Sequence, residues 1–374
     1  MQKDEYYMKM AIELAQKGKG WTNPNPMVGA VIVKDEVILG EGYHQRFGGP
    51  HAEIEAIHQA HQKGYQDLNG ATIYVTLEPC SHFGKTPPCA DRLIQEGFSR
   101  VVIGMMDPNP LVCGQGIQKL KGHGIDVLVG ILEKECENFN TVFIYGMKHR
   151  RSYIHYKTAM TMDGKIRTVA KQSQWISCET SREEVQDKRS IHPGIMVGVQ
   201  TVCEDDPKLT CRLADCRQPV RIILDSSLRI PRTSYVVQTA NEYPTIIATV
   251  KAPVDYPEWL KETGVEFMTV REKNGRCDLR HLVEETYKRG IDSILLEGGP
   301  TLATSAFEEG IINYYTGYYA PIFFGGQLAP GPIGGKGVSQ IKDAFQLEEM
   351  EVSICGKDIK VEGKVKYPDV YWNS

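Results

Sequence analysis

Residues 78–89 read Glu78-Pro79-Cys80-Ser81-His82-Phe83-Gly84-Lys85-Thr86-Pro87-Pro88-Cys89. The two cysteines stand too far apart for a C-x-x-C pair, with a histidine, a glycine and a lysine between them. The flanking pattern places each one. Ala71 to Leu77 is a run of strand length rich in apolar and β-branched residues, so Cys80 follows the end of a buried strand. Pro87-Pro88 introduces a helix to Glu96, which Cys89 opens. Upstream, Pro50 opens a helix from about His51 to Lys63 that begins His51-Ala52-Glu53 and carries Ala52, Ala56 and Ala60 on one side.

Taken together these give H-x-E, then P-C, then a second cysteine at a helix start. That is the order zinc deaminases use, with one His and two Cys on the metal and the Glu moving protons. Residues two apart do not share a helix face, but side chains in the first turn lean towards the N-terminal end. His51 and Glu53 can therefore converge on something lying off that end. Unpaired amides and the helix dipole at Cys89 favour a thiolate. Three protein ligands would leave the fourth tetrahedral position to water, as in a catalytic site. A structural zinc would take a fourth protein ligand, for which His82 is the candidate.

The chain has 374 residues, enough for two domains. With 41% hydrophobic and 24% charged residues it has a globular composition, and a net charge of −4 gives no basic footprint for nucleic acid. The N-terminal MQKDEYYMKM is charged at once and lacks the apolar core of a signal peptide. No run of about 18 apolar residues predicts a membrane span. The 10 cysteines have no regular spacing, unlike a secreted disulfide framework, and point to a reducing cytoplasm.

The first third reads as a hairpin, Val28 to Val33 and Val37 to Tyr43, followed by strand–helix units with strands at Val101 to Met105 and Asp126 to Val129. This predicts a helix-covered sheet whose later strands are parallel. From about Met147 the pattern restarts, giving domains at 1–146 and 147–374. Strands are expected at Tyr153 to Ala159, Ile195 to Val199, Arg221 to Asp225, Thr245 to Thr249 and Ile291 to Leu296. Helices are expected at Ser181 to Ser190, Asp278 to Arg289 and Thr301 to Glu309, and strands again near the C-terminus. Both halves are thus α/β. Leu296-Glu297-Gly298-Gly299-Pro300 is a strand, a glycine turn and a helix start, which suits a pyrophosphate. No G-x-G-x-x-G is present, which argues against a standard Rossmann site.

The long loop between Cys80 and Cys89, with His51-Ala52-Glu53, Asn23-Pro24-Asn25-Pro26-Met27-Val28-Gly29 and Asp107-Pro108-Asn109-Pro110, resembles the deaminase half of the bifunctional riboflavin biosynthesis deaminase-reductases. The resemblance implies a cytidine-deaminase-like domain with Zn2+ on His51, Cys80 and Cys89 and Glu53 as the catalytic acid–base. It also implies that Asn23, His44, Lys85, Asp107 and Asn109 line a pyrimidine nucleotide pocket. A lysine on a glycine-containing loop independently suits a substrate phosphate.

Lys157-Thr158-Ala159-Met160-Thr161-Met162-Asp163-Gly164-Lys165, Ser173-Gln174-Trp175, Gly198 to Thr210 and the Gly298-Gly299 turn resemble, in the same order, the reductase half of that family. They imply a dihydrofolate-reductase-like domain that uses NADPH. By resemblance Ala159, Trp175, Thr201, Asp205, Ser226 and the turn from Gly299 contact the coenzyme. Ser173, Arg189, Leu209, Arg212 and Glu297 contact the substrate, with Arg189 and Arg212 as natural phosphate partners because a guanidinium fork binds phosphate bidentately. Asn313-Tyr314-Tyr315-Thr316 departs from the acidic stretch expected there, which bears on oligomer contacts.

The expected activity is deamination of 2,5-diamino-6-ribosylamino-4(3H)-pyrimidinone 5′-phosphate, then NADPH-dependent reduction of its ribosyl group to ribityl. The expected partner is this small phosphorylated pyrimidine, in a cytoplasmic homo-oligomer, a dimer or tetramer, with no nucleic acid and no membrane. A nucleic-acid deaminase would need a basic groove with aromatic platforms, and the net acidity speaks against it. A nucleotide-sensing protein with a structural zinc would have no use for Glu53.

Overall fold

The computed structural model describes residues 2–81, 87–252, 254 and 256–368. The chain divides into two compact units, Met1–Arg150 and Arg151–Ser374. The sequence reading divides it four residues earlier, and a helix, Thr141–His149, spans that point. That helix ends at Arg150, whose φ of 55° leaves the helical region.

In the first unit the elements run α1 (Gln2–Gln16), β1 (Gly29–Lys34), β2 (Val37–Tyr43), α2 (Ala52–Gln62), β3 (Thr72–Leu77) and α3 (Cys89–Gln95). They continue with β4 (Arg100–Met105), α4 (Gln115–Gly122), β5 (Asp126–Val129), α5 (Glu133–Phe139) and α6 (Thr141–His149). The five-stranded sheet has the order β2-β1-β3-β4-β5. β1 is antiparallel to β2 and β3, and β3, β4 and β5 are parallel, as the pattern predicts. The β1–β2 turn has Asp35 and Glu36 at φ 50° and 66°. Two such residues form the tight turn whose twist matches the flanking strands.

Strand alternation sends Ile32, Ile73 and Val75 to a core under α2, α3 and α4. The alternate residues Val31, Val33 and Tyr74 meet Met8 and Ala11 of α1 and Cys136 of α5. Each fully buried aliphatic side chain contributes about 2 kcal/mol, so the two faces together fix the three layers. α2 lies unusually close to β2. A Cβ added at Gly40 would stand 2.2 Å from the Ala56 carbonyl oxygen, and one at Gly42 would stand 2.3 Å from the Ala56 nitrogen. The alanine side of α2 and these glycines are therefore two halves of one contact. α5 and α6 are additions to the sequence reading.

In the second unit β6 (Tyr153–Thr161), α7 (Glu179–Ile191), β7 (Gly194–Gly198), α8 (Val199–Asp205), β8 (Val220–Leu224), α9 (Tyr235–Gln238), β9 (Thr245–Thr249), α10 (Glu258–Lys261) and β10 (Glu266–Thr269) come first. A small hairpin follows, β11 (Glu272–Lys273) with β12 (Arg276–Cys277). α11 (Leu279–Lys288), β13 (Ser293–Leu296), α12 (Pro300–Glu308), β14 (Ile312–Ala320), β15 (Gln346–Cys355) and β16 (Asp358–Lys366) complete it. The nine-stranded sheet has the order β10-β9-β8-β7-β13-β6-β14-β16-β15. From β10 to β14 all neighbours are parallel, and β16 and β15 add antiparallel pairs.

The expected strands and helices all appear, with ends moved by a few residues. β14 is an addition. Its Tyr-rich sequence has no simple alternation, yet it lies between β6 and β16. Asn313 to Thr316 therefore belongs to an interior strand, where Asn313 Oδ1 accepts the Ile154 amide at 2.7 Å. Among the described residues no helix is long and apolar enough to cross a membrane.

Candidate active sites

Parallel strands bring their carboxyl ends to one edge, and in the first unit that edge gathers the predicted residues. β3 runs out into Glu78-Pro79-Cys80, and β4 runs out into Asp107. α2 begins beside them with His51 as its extended N-cap (φ −74°, ψ 161°), and Cys89 is the first residue of α3. One ligand atom from each of His51, Cys80 and Cys89 lies within 4.8 Å of the others. His51 Nδ1 stands 3.2 Å from Cys89 Sγ and 3.7 Å from Cys80 Sγ. The Cys89 amide donates to Cys80 Sγ at 3.3 Å, so a helix-start N–H does favour a thiolate here, on the neighbouring cysteine.

Hydrogen bonding from Cys89 holds the Cys80 thiol well below its usual range, with His51 adding to it. The same contacts push His51 up, through Cys80 first, and push Cys89 up. One nitrogen and two sulfurs thus share protons at a point where a single cation would satisfy all three. This donor set fits zinc, which prefers His nitrogen and Cys sulfur. Among the described residues no further His, Cys, Asp or Glu joins the group. His82, the candidate fourth ligand, and Lys85 lie outside the described residues.

Glu53 is buried, 3% exposed, and burial pushes its carboxyl up while His51 pulls it the other way. His44 stands edge-on to His51 with ring centres 5.7 Å apart. Its Nδ1 lies 2.8 Å from the Pro50 carbonyl and its Nε2 lies 3.2 Å from Asn25 Nδ2. Burial draws the His44 pKa down, favouring neutral imidazole. Asn23 lies on the same loop as Asn25, and the Trp21 carbonyl of that loop accepts the Phe47 amide, from the segment after β2, at 3.0 Å.

Asp107 and Asn109 form successive side-chain turns. The Asn109 amide donates to Asp107 Oδ1 at 2.8 Å, and the Leu111 amide donates to Asn109 Oδ1 at 3.2 Å. This loop is anchored by Glu78, which the sequence reading passes over. Glu78 Oε2 accepts the Asp107 and Gly114 amides, and Oε1 accepts those of Gly116 and Ile117, at 3.0–3.3 Å. A Cβ at Gly116 would stand 2.1 Å from the Pro79 carbonyl oxygen, so the loop packs backbone to backbone on the strand end. Glu78 therefore links the loop bearing Asp107 and Asn109 to the segment bearing Cys80. Its place two residues before Cys80 was the available signal, but a carboxylate bound only by backbone amides leaves no partner residue in the sequence.

In the second unit one cavity of about 1610 Å³ lies at the carboxyl edge of the parallel strands. Every residue expected there lines it: Ala159, Trp175, Thr201, Asp205, Ser226 and Gly299 for the coenzyme, and Ser173, Arg189, Leu209, Arg212 and Glu297 for the substrate. Gly299 is the N-cap of α12, with Pro300 at the helix start. Trp175 is largely exposed, and the Arg182 guanidinium stands 4.8 Å from its ring centre.

An ion cluster forms the floor. Arg189 donates from Nε and Nη2 to the Glu297 carboxylate at 2.8 and 3.1 Å, and from Nη1 to the Thr210 carbonyl at 2.9 Å. Lys157 Nζ reaches the same carboxylate at 2.9 Å. Burial alone would raise the Glu297 carboxyl, but Arg189 and Lys157 outweigh it and hold the group far below the usual carboxylate range. The Arg189 fork is thus spent on Glu297, while Arg212 is exposed at the rim. Lys157 is a member of this cluster that the resemblance does not assign to substrate or coenzyme. Lys157, Thr158 and Ala159, near the carboxyl end of β6, all line the cavity.

Residues 1–105 match the cytidine and deoxycytidylate deaminase zinc-binding region, and residues 152–361 match the RibD C-terminal domain. The riboflavin biosynthesis protein RibD of Actinobacillus pleuropneumoniae is 47% identical over 362 residues, covering 97% of this chain and 95% of the relative. That of Escherichia coli (strain K12) is 41% identical over 369 residues, covering 95% and 98%. Among solved structures, Acinetobacter baumannii RibD superposes with a TM-score of 0.88 at 34% identity, covering 98% of this chain and 99% of that one. The diaminohydroxyphosphoribosylaminopyrimidine deaminase/5-amino-6-(5-phosphoribosylamino)uracil reductase of Thermotoga maritima gives 0.85 at 38% identity, with the same coverage. The α/β class expected for both halves holds, with the cytidine and deoxycytidylate deaminase zinc-binding region in the first and the RibD C-terminal domain in the second. The chain belongs to the RibD family: it is a bifunctional deaminase and reductase of riboflavin biosynthesis, with a zinc-binding deaminase unit followed by a reductase unit that uses NADPH.

Proposed function

We propose that the first unit deaminates 2,5-diamino-6-ribosylamino-4(3H)-pyrimidinone 5′-phosphate and that the second reduces the ribosyl group of the product to ribityl. The observation that carries the first step is the convergence of His51, Cys80 and Cys89 beside a buried Glu53. Zinc held by these three residues supplies a Lewis acid that makes water acidic near neutral pH. Glu53 moves one proton from the attacking water to the ring nitrogen and then carries the remaining hydroxyl proton to the amine, which leaves as ammonia as the carbonyl forms. Its burial beside His51 supports that role, since a proton carrier must be able to hold each proton in transit. Asn23, His44, Asp107 and Asn109 orient the pyrimidine nucleotide, and Lys85 meets its phosphate. The anchoring of the Asp107–Asn109 loop through Glu78 supports a preformed pocket, which lowers the entropic cost of orientation.

The second step is supported by the single cavity that all the expected reductase residues line. NADPH supplies the hydride, and the chain supplies its orientation. Ala159, Trp175, Thr201, Asp205, Ser226 and the turn from Gly299 hold the coenzyme. Ser173, Leu209 and Glu297 position the open-chain sugar, Arg212 meets the phosphate, and Arg189 fixes Glu297. Lys157, which lines the cavity beside the same carboxylate, is the proton donor in this reading. The molecule works on this small phosphorylated substrate in the cytoplasm, as a homo-oligomer.

Glu53→Gln tests the deaminase assignment. The variant is expected to retain one zinc per chain by atomic absorption and to lose ammonia release by at least about a hundredfold. It should still oxidise NADPH when given the deaminated substrate. Normal ammonia release would remove Glu53 from its role.

A further inference from the structure

The cavity of the second unit crosses the carboxyl ends of β6, β13, β7 and β8, which are neighbours in that order. The ion cluster of Lys157, Arg189 and Glu297 marks its β6–β13 end. The β8 end has a different lining, with Ser226 and Arg229 from the loop after β8, and Lys273 and Arg276 from the β11–β12 hairpin. The hairpin is fixed to that loop, because the Cys277 amide donates to Ser226 Oγ at 3.1 Å and the Ser226 carbonyl is bound by Thr249 Oγ1 at 3.3 Å. Three interstrand steps of about 4.8 Å separate β6 from β8, roughly 14 Å in all. That is the span of an extended dinucleotide, with the Gly299 turn for its pyrophosphate in between.

The charges at this end are unevenly spent. Lys273 is paired with Glu309 at 3.3 Å, and Arg271, just outside the cavity, is paired with Asp278 at 3.4 Å. Arg229 and Arg276 are exposed, and among the described residues neither has an ion-pair or hydrogen-bond partner. Two uncommitted guanidinium groups beside a serine hydroxyl, at one end of a cavity, suit a phosphate dianion, which a planar fork binds through two parallel N–H donors. A coenzyme whose nicotinamide stands at the ion cluster places its adenosine ribose at this end.

We propose that Arg229 and Arg276, which line the cavity together with Ser226, bind the 2′-phosphate of the coenzyme and select NADPH over NADH. This rests on the reading of the cavity as the coenzyme site. Arg229 follows β8 and Arg276 lies on β12, so selection depends on the hairpin being docked by Ser226 and Cys277 as well as on the charges themselves.

Calorimetric titration of the full chain with adenosine 2′,5′-bisphosphate and with adenosine 5′-monophosphate tests it. The wild type should bind the bisphosphate about tenfold or more tightly than the monophosphate. In Arg229→Gln/Arg276→Gln that preference should fall to about onefold, with monophosphate affinity unchanged. The KM for NADPH should rise by a similar factor at constant kcat, while ammonia release, a measure of correct folding, stays at the wild-type rate. A double variant that keeps the preference, or a wild type that binds both fragments equally, overturns the assignment while leaving the cavity as the coenzyme site. A wild type that binds neither fragment overturns the coenzyme reading and the assignment with it.

Discussion

Glu297 is a carboxylate almost removed from solvent, yet it stays ionised because two cations face it. Its folded-state pKa lies below the unfolded value of about 4.3. The stabilisation it provides is therefore complete above that value and is lost as pH falls towards the folded pKa. Glu297→Gln leaves Lys157 and Arg189 facing a neutral amide, a change that breaks a buried pair and costs about 3 kcal/mol at neutral pH. The difference in Tm between wild type and variant should be largest above pH 5 and should shrink as pH falls below about 4. A difference independent of pH would mean that the carboxylate is not held by those cations. At this scale the sequence was informative about residue type and silent about partners. Arg189 is expected as a phosphate ligand from the family resemblance and the chemistry of a guanidinium, and only the folded chain shows its fork given to Glu297.

Among the elements, α2 matters most to the first site because it carries both His51 and Glu53. Its position is set by contact with β2, where Gly40 and Gly42 admit the helix backbone. Gly42→Ala puts a methyl group where the Ala52 carbonyl oxygen and the Ala56 nitrogen already stand, at 2.5 and 2.3 Å. Overpacking of this kind costs about 1–3 kcal/mol. The variant should show a lower Tm and weaker zinc retention against a chelator, with NADPH oxidation on the deaminated substrate preserved. Unchanged zinc retention would show that α2 can shift without moving His51. The alanine side of α2 was legible because 3.6-residue periodicity is local. The hydrophobic strands β3, β4, β7, β8 and β13 were legible as short continuous apolar runs, which are equally local. β14 was not, since its tyrosines serve both faces of the sheet, and the two-residue strands β11 and β12 are too short to carry any period. Their importance comes from where Cys277 docks, which is a tertiary fact.

On the scale of the whole molecule, two unlike α/β units place their chemistry at the carboxyl edges of their parallel strands. The first does so with a metal-binding trio and a buried carboxylate, the second with a long cavity floored by ions. The trio was readable because each ligand sits at a helix start or strand end that Pro and the hydrophobic pattern announce. The anchoring of the substrate loop by Glu78 was not, because it is made to backbone amides that leave no trace in side-chain identity. The central claim is that one chain performs hydrolysis and then reduction on the same phosphorylated intermediate. Its most direct test is simultaneous measurement of ammonia and NADPH after mixing the full chain with the diaminopyrimidine substrate and coenzyme. Ammonia should appear first, NADPH should be consumed after a lag, and the final amounts should be equal. Consumption of NADPH without a lag, or without matching ammonia, would contradict the account.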